Sequence, residues 1–122
     1  MSMVLDASAI LAFVQDEGGA HLVEAALEES ARCGAANWSE VAQKVLETGR
    51  DWGLVRSLLE SYGLEVEPVI IDDAEWAARR RTRGEGMSLA DRLCLALAER
   101  VDEAVLTADA SWGSTGRVRQ IR

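Results

Sequence analysis

The chain has 122 residues, 48% of them apolar, which is enough for one compact domain with a real core and too few for two. Its formal charge of −8 argues against non-specific adhesion to polyanions, unless several of the acids share a pocket that divalent cations neutralise. No basic leader with a long apolar stretch opens the chain, and no segment approaches the roughly 18 uninterrupted apolar residues of a membrane span, so a cytoplasmic protein with no membrane partner is expected.

In chain order, Met3 to Leu5 reads as a short buried strand, followed by an apolar helix through Ala9, Ile10, Leu11, Phe13 and Val14. Gly18 and Gly19 precede an amphipathic helix with Leu22, Val23, Ala26 and Leu27 on one face. Cys33 to Ala36 is a candidate second strand, leading into a helix that opens near Asn37, carries Val41, Ala42, Val45 and Leu46, and ends at Gly49. Asp51 to Tyr62 continues as another helix, with Leu54, Leu58 and Leu59 inward. Leu64 to Ile71 contains a third strand around Pro68, after which Asp72 caps a helix through Trp76. Ser88 caps a further helix running to Val101, Ala104 to Thr107 is a fourth strand, and Val118 to Ile121 supplies a fifth.

Strands alternating with helices predict a single α/β domain over residues 1–122, with a mainly parallel central sheet flanked by helices. Sites in such sheets lie beyond the carboxyl ends of the strands, where Asp6 and Asp109 fall, immediately after the first and fourth strands. Cys33 and Cys94 are far apart in the chain and form no C-x-x-C pair, so they read as reduced structural thiols rather than a disulfide or a zinc site.

Most of the 21 acids read as solvated surface; Asp6, Glu40, Asp91 and Asp109 do not. Glu40 and Asp91 have a structural reading as well, since Asn37-x-x-Glu40 and Ser88-x-x-Asp91 both resemble capping boxes, as does Asp72-x-x-Glu75. The segment Leu89 to Ala98 is apolar on nearly every side, with Arg92 and Glu99 marking a narrow wet face. A carboxylate off that face needs a partner, and Lys44, the only lysine, reads as too distant to supply one; a divalent cation shared with other carboxylates fills the role. The sole histidine, His21, cannot by itself provide a paired general acid and base near neutral pH, and reads as a surface or boundary residue.

Four segments carry a family resemblance: Leu5-Asp6-Ala7-Ser8-Ala9, Ser39-Glu40-Val41, Ser88-Leu89-Ala90-Asp91 with its apolar helix, and Leu106-Thr107-Ala108-Asp109. In order and spacing they look like the signature blocks of PIN-domain ribonucleases, and within these most resemble the VapC toxins of bacterial toxin–antitoxin pairs. The resemblance extends over essentially the whole chain. It implies a metal-dependent endoribonuclease whose Asp6, Glu40, Asp91 and Asp109 bind Mg²⁺, or Mn²⁺ in its place, with Ser8 and Thr107 as supporting hydroxyls. Hard ions of this kind prefer oxygen ligands, and two of them about 3.5–4 Å apart stabilise both the attacking and the leaving oxygen of a phosphodiester. The resemblance also implies an RNA substrate, a homodimer and an inhibiting antitoxin. The chain departs from many relatives at Ala110 and Ser111, where they carry an arginine after the last acid.

Arg79, Arg80, Arg81 and Arg83 form the only dense basic run and, with Arg92, are candidate RNA contacts, although cations at a helix C-terminus also complement its dipole. Trp38, Trp52, Trp76 and Trp112 read as core and interface residues before base-stacking platforms. A receiver-type phosphoacceptor fails because Lys44 lies in an early helix, and a haloacid-dehalogenase-like phosphatase because Ser8 stands where its second acid belongs. A non-catalytic PIN fold that binds RNA or an antitoxin remains the alternative.

Overall fold

The computed structural model describes residues 2–122. Five strands, β1 (Met3–Leu5), β2 (Ala31–Gly34), β3 (Glu65–Glu67), β4 (Ala104–Thr107) and β5 (Val118–Gln120), form one sheet in the order β3-β2-β1-β4-β5. Every pairing is parallel, with Met3 opposite both Ala31 and Ala104, and Val105 opposite Val118. The first three connections therefore cross over through helices: α1 (Ala7–Val14) and α2 (Ala20–Glu29), then α3 (Ala35–Glu47) and α4 (Trp52–Ser61), then α5 (Ile71–Arg80) and α6 (Leu89–Val101). A 3₁₀ turn, Ala110–Trp112, lies between β4 and β5.

Side chains alternate across a strand, and here both faces are covered. Leu5 and Leu106 pack with Ala9, Ile10, Val23, Leu27, Val41 and Leu59 on one face. Val4 and Val105 pack with Cys94, Leu97, Ala98, Trp112 and Val118 on the other. Cys33 and Cys94 are buried and free, and burial pushes the Cys33 thiol up to about 12, which keeps it protonated and inert.

Several local expectations change. Strand β2 ends at Gly34 and α3 begins at Ala35, so Asn37 sits inside the first turn and Gly34 takes the cap position. Likewise α5 starts at Ile71, and it is Asp73 whose carboxylate accepts the Ile70 N–H at 3.1 Å, in place of a cap by Asp72. Outward leucines correct the predicted inner faces: Leu54 is 70% exposed, with Leu22, Leu46 and Leu58 also exposed, while Val55 and Leu59 point inward. Gly19 is required as glycine, because its φ is +89° and a Cβ there would run into the Ile121 carbonyl.

Helices α5 and α6 run antiparallel, since Asp73 at the start of α5 pairs with Arg100 at the end of α6, Nε to Oδ1 at 2.9 Å. Nearer their other ends, the Arg92 guanidinium donates to the Ala77 carbonyl at 2.6 Å. Asp73 is 3% exposed and serves both the cap and the ion pair. Asp73→Ala is expected to cost about 2–3 kcal/mol in urea unfolding, below the figure for a wholly buried pair because Arg100 stays partly in water.

Candidate active site

The sheet order reverses direction between β1 and β4, which opens a crevice beyond their carboxyl ends. Asp6 leaves β1 and Asp109 follows β4, so both enter this crevice from the sheet itself. Glu40 arrives from the early part of α3, packed on one face, and Asp91 from the first turn of α6 on the other. All four line one pocket of about 410 Å³, together with Ser8, Leu11, Gln43, Lys44 and Glu47. Four acids that are distant in sequence are thus gathered by topology.

Asp6 is the anchor. It is 3% exposed, and as the N-cap of α1 its Oδ1 accepts the Ala9 N–H and the Ser8 hydroxyl, each at 2.8 Å. Its Oδ2 accepts the Thr107 hydroxyl at 2.6 Å. Ser8 Oγ in turn accepts the Ala108 N–H at 2.9 Å and Thr107 Oγ1 the Asp109 N–H at 3.0 Å, so the two hydroxyls tie α1 to the exit of β4. Both hydroxyls thus donate to Asp6. Burial, with a further contribution from the Asp91 charge, pushes the Asp6 carboxyl up to about 6 against the lowering effect of its hydrogen bonds.

The other three acids share a pattern. Asp91 Oδ2 accepts the Ser88 N–H at 3.1 Å while Ser88 Oγ accepts the Asp91 N–H, so the capping box exists and Asp91 also lines the pocket. Asp109 Oδ1 accepts from Ser111 N at 2.9 Å and Ser111 Oγ at 2.6 Å. Glu40 Oε1 accepts from Asn37 Nδ2 at 3.0 Å. In each case a local donor holds one carboxylate oxygen, and the other has no hydrogen-bond partner among the described residues. Ser111 supplies both donors to Asp109 Oδ1.

The donor chemistry suits a hard divalent cation: carboxylate oxygens, no thiolate or imidazole, and like charges close enough for Asp91 to raise Asp6. Among the described residues no three acidic, histidine or cysteine side chains are drawn together tightly enough to cage an ion as they stand. The pocket therefore presents oxygen donors of the right kind around an open space.

Two residues at or behind this site, Lys44 and Asn37, were not connected to it by the sequence. Lys44, one helical turn after Glu40, borders the pocket and makes no ion pair among the described residues, so a lysine is nearby after all. The i to i+4 spacing of Glu40 and Lys44 was the available signal. Asn37 is 1% exposed, and its Oδ1 is buried without a partner, an arrangement that costs about 1–3 kcal/mol.

None of the basic run lines the pocket. Arg79, Arg81 and Arg83 are exposed at the end of α5 and beyond it, and Arg80 pairs with Glu85 at 2.8 Å. Arg92 is withdrawn as an RNA contact, because it is 9% exposed, its Nη1 donates to the Ala77 carbonyl inside the α5–α6 interface and its Nε is buried there without a partner. Trp112 is buried in the core, and Trp38 packs edge to face on Trp52 with centroids 5.1 Å apart, as the core reading expects. His21 is exposed on α2 and outside the acidic pocket.

The sequence of residues 3–118 matches the family model of the PIN domain. The chain is 37% identical over 115 residues to a VapC ribonuclease of Mycobacterium bovis, covering 85% of this chain and 88% of that protein. Ribonuclease VapC42 of Mycobacterium tuberculosis matches to the same extent. In fold, it is similar to a toxin–antitoxin complex from Klebsiella pneumoniae, with a TM-score of 0.78, 16% identity and 98% of each chain covered. A DNA-bound VapBC structure from Salmonella typhimurium aligns with a TM-score of 0.75 and 16% identity, covering 100% of this chain and 99% of that one. A parallel sheet with its acids at the β1–β4 crevice and a family match across almost the whole length agree, and the chain belongs to the PIN domain family.

Proposed function

We propose that the chain is a metal-dependent endoribonuclease, the toxin of a VapBC-like toxin–antitoxin pair, and that Asp6, Glu40, Asp91 and Asp109 form its catalytic metal site. The observation that carries this reading is the convergence of four carboxylates from separate elements on one crevice, three of them with one oxygen held and the other unengaged. When bound, Mg²⁺ or Mn²⁺ supplies the positive charge that a phosphodiester under hydrolysis requires. The chain's own contribution is to hold the donors: Ser8 and Thr107 fix Asp6, Ser88 fixes Asp91, and Ser111 fixes Asp109. Lys44 at the rim supplies a cation for substrate phosphate, and the exposed arginines at Arg79, Arg81 and Arg83 extend that contact beyond the pocket.

The partners in this reading are RNA, a cognate antitoxin and a second copy of the chain. An apolar cleft of about 370 Å³ between the end of α1 and α4, lined by Val14, Leu54, Val55 and Leu58, offers a surface for protein contact. Among the described residues no helix is long and apolar enough to cross a membrane.

The test is single-turnover cleavage of total RNA by the purified chain, with Mn²⁺ and with chelator. Cleavage is expected only with the metal, and Asp109→Asn is expected to reduce it by at least about 10²-fold, the scale of removing one group that stabilises transition-state charge. RNA binding without cleavage in every condition would favour the non-catalytic alternative.

A further inference from the structure

Asn37 has the burial of a core residue and the chemistry of neither a cap nor a strand partner. It lies in the first turn of α3 at 1% exposure. Its Oδ1 accepts no hydrogen bond, so it does not satisfy the free N–H groups of the helix start, and the cap position belongs to Gly34. The amide therefore weakens the fold by one unpaired buried oxygen. What it gains is a single bond, Nδ2 to Glu40 Oε1 at 3.0 Å.

Glu40 is the loosest of the four pocket acids. Asp6 is held on both oxygens and Asp109 by two donors of Ser111; Asp91, like Glu40, has one hydrogen bond, but on a shorter side chain and from the backbone N–H of Ser88, whereas Glu40 is held only by another side chain. A neutral donor is suited to that task. An arginine or lysine would also fix the carboxylate, but would cancel the charge that a cation is to meet; an amide orients it and leaves the charge intact.

Resting on the function proposed above, we propose that Asn37 is a positioning residue: its amide fixes Glu40 Oε1 so that Oε2 is presented to the cation and the RNA phosphate in the pocket. A merely structural asparagine and a positioning one respond oppositely to an apolar replacement. Asn37→Leu is close in size, removes the donor and removes the orphan oxygen. The melting temperature of the metal-free protein is expected to stay level or rise. The Mn²⁺ concentration giving half of the thermal stabilisation should increase by about 10–100-fold, and single-turnover RNA cleavage should slow by a similar factor. In a Glu40→Gln background, Asn37→Leu should change neither quantity further, because its effect passes through Glu40.

The inference is overturned if Asn37→Leu lowers the metal-free melting temperature while leaving the Mn²⁺ response intact, or if its effects add to those of Glu40→Gln. Should the leucine variant not fold, Asn37→Ala enters the same cycle with the same expectations for Mn²⁺ and cleavage. A wild-type chain with neither Mn²⁺ stabilisation nor cleavage sinks the proposed function and this inference together. Wild-type behaviour beside an indifferent Asn37 variant sinks this inference alone.

Discussion

Asp6→Asn is expected to make the metal-free chain more stable at pH 7 while abolishing RNA cleavage. The Asp6 carboxyl stands at about 6 in the folded chain against 3.8 for the unperturbed group, chiefly because burial disfavours its charge. Between these two values the folded chain retains a proton that the unfolded chain has released. Stability from this group is therefore full below about pH 4, declines as pH rises toward 6, and is flat above it. The displacement corresponds to about 3 kcal/mol at most. Asparagine keeps an acceptor for the Ala9 N–H but forfeits charge-assisted bonds from Ser8 and Thr107, so about 1–2 kcal/mol should survive, a rise of roughly 3–8 °C. Thermal melts of both proteins in chelator at pH 4 and pH 7 check this. An offset that is the same at both pH values would mean that the buried charge is not its cause.

The part of the site borne by strands is legible in the chain. Val4 and Leu5 are apolar because parallel strands are covered on both faces, so the first charged residue after them marks the strand's exit. Val105, Leu106 and Thr107 announce Asp109 in the same way. The resemblance joins these acids to Glu40 and Asp91, which local spacing by itself describes better as caps. Asp91 closes the capping box with one oxygen, while the other has no hydrogen-bond partner among the described residues and Asp91 lines the pocket.

What escaped the sequence depends on neighbours that periodicity does not contain. Arg92 falls on the predicted wet stripe of its helix, yet a long side chain crosses to the Ala77 carbonyl of α5, and nothing in α6 alone reports that carbonyl. Leu54-Val55 and Leu58-Leu59 form two adjacent apolar stripes on α4, and only the position of the helix against the core decides that Val55 and Leu59 are inside. Asn37 looked like a cap because asparagine favours that position, but Gly34 ends the strand and Ala35 and Ala36 already favour helix, which moves Asn37 one turn inward. Lys44 was set aside as distant from Asp91, although Glu40 on the same helix brings it to the pocket.

Millimolar Mn²⁺ is expected to raise the melting temperature of the wild-type chain at pH 7, and Asp91→Asn to remove most of that rise. Four carboxylates on one pocket repel in the absence of cations, so an ion that binds the native site and not the unfolded chain stabilises by mass action. At a hundred times its dissociation constant this amounts to about 2.7 kcal/mol, or roughly 10 °C for a chain of this size. Asp91 allows its two roles to be separated. Asparagine retains an oxygen for the Ser88 N–H, so Asp91→Asn should melt close to wild type in chelator while losing the response to Mn²⁺. Ser88→Ala should do the reverse, losing about 1 kcal/mol with the cap and keeping most of the metal response. If both variants lost stability in chelator and both still responded to Mn²⁺, Asp91 would be a helix cap alone, and the metal site would have to be rebuilt on Asp6, Glu40 and Asp109.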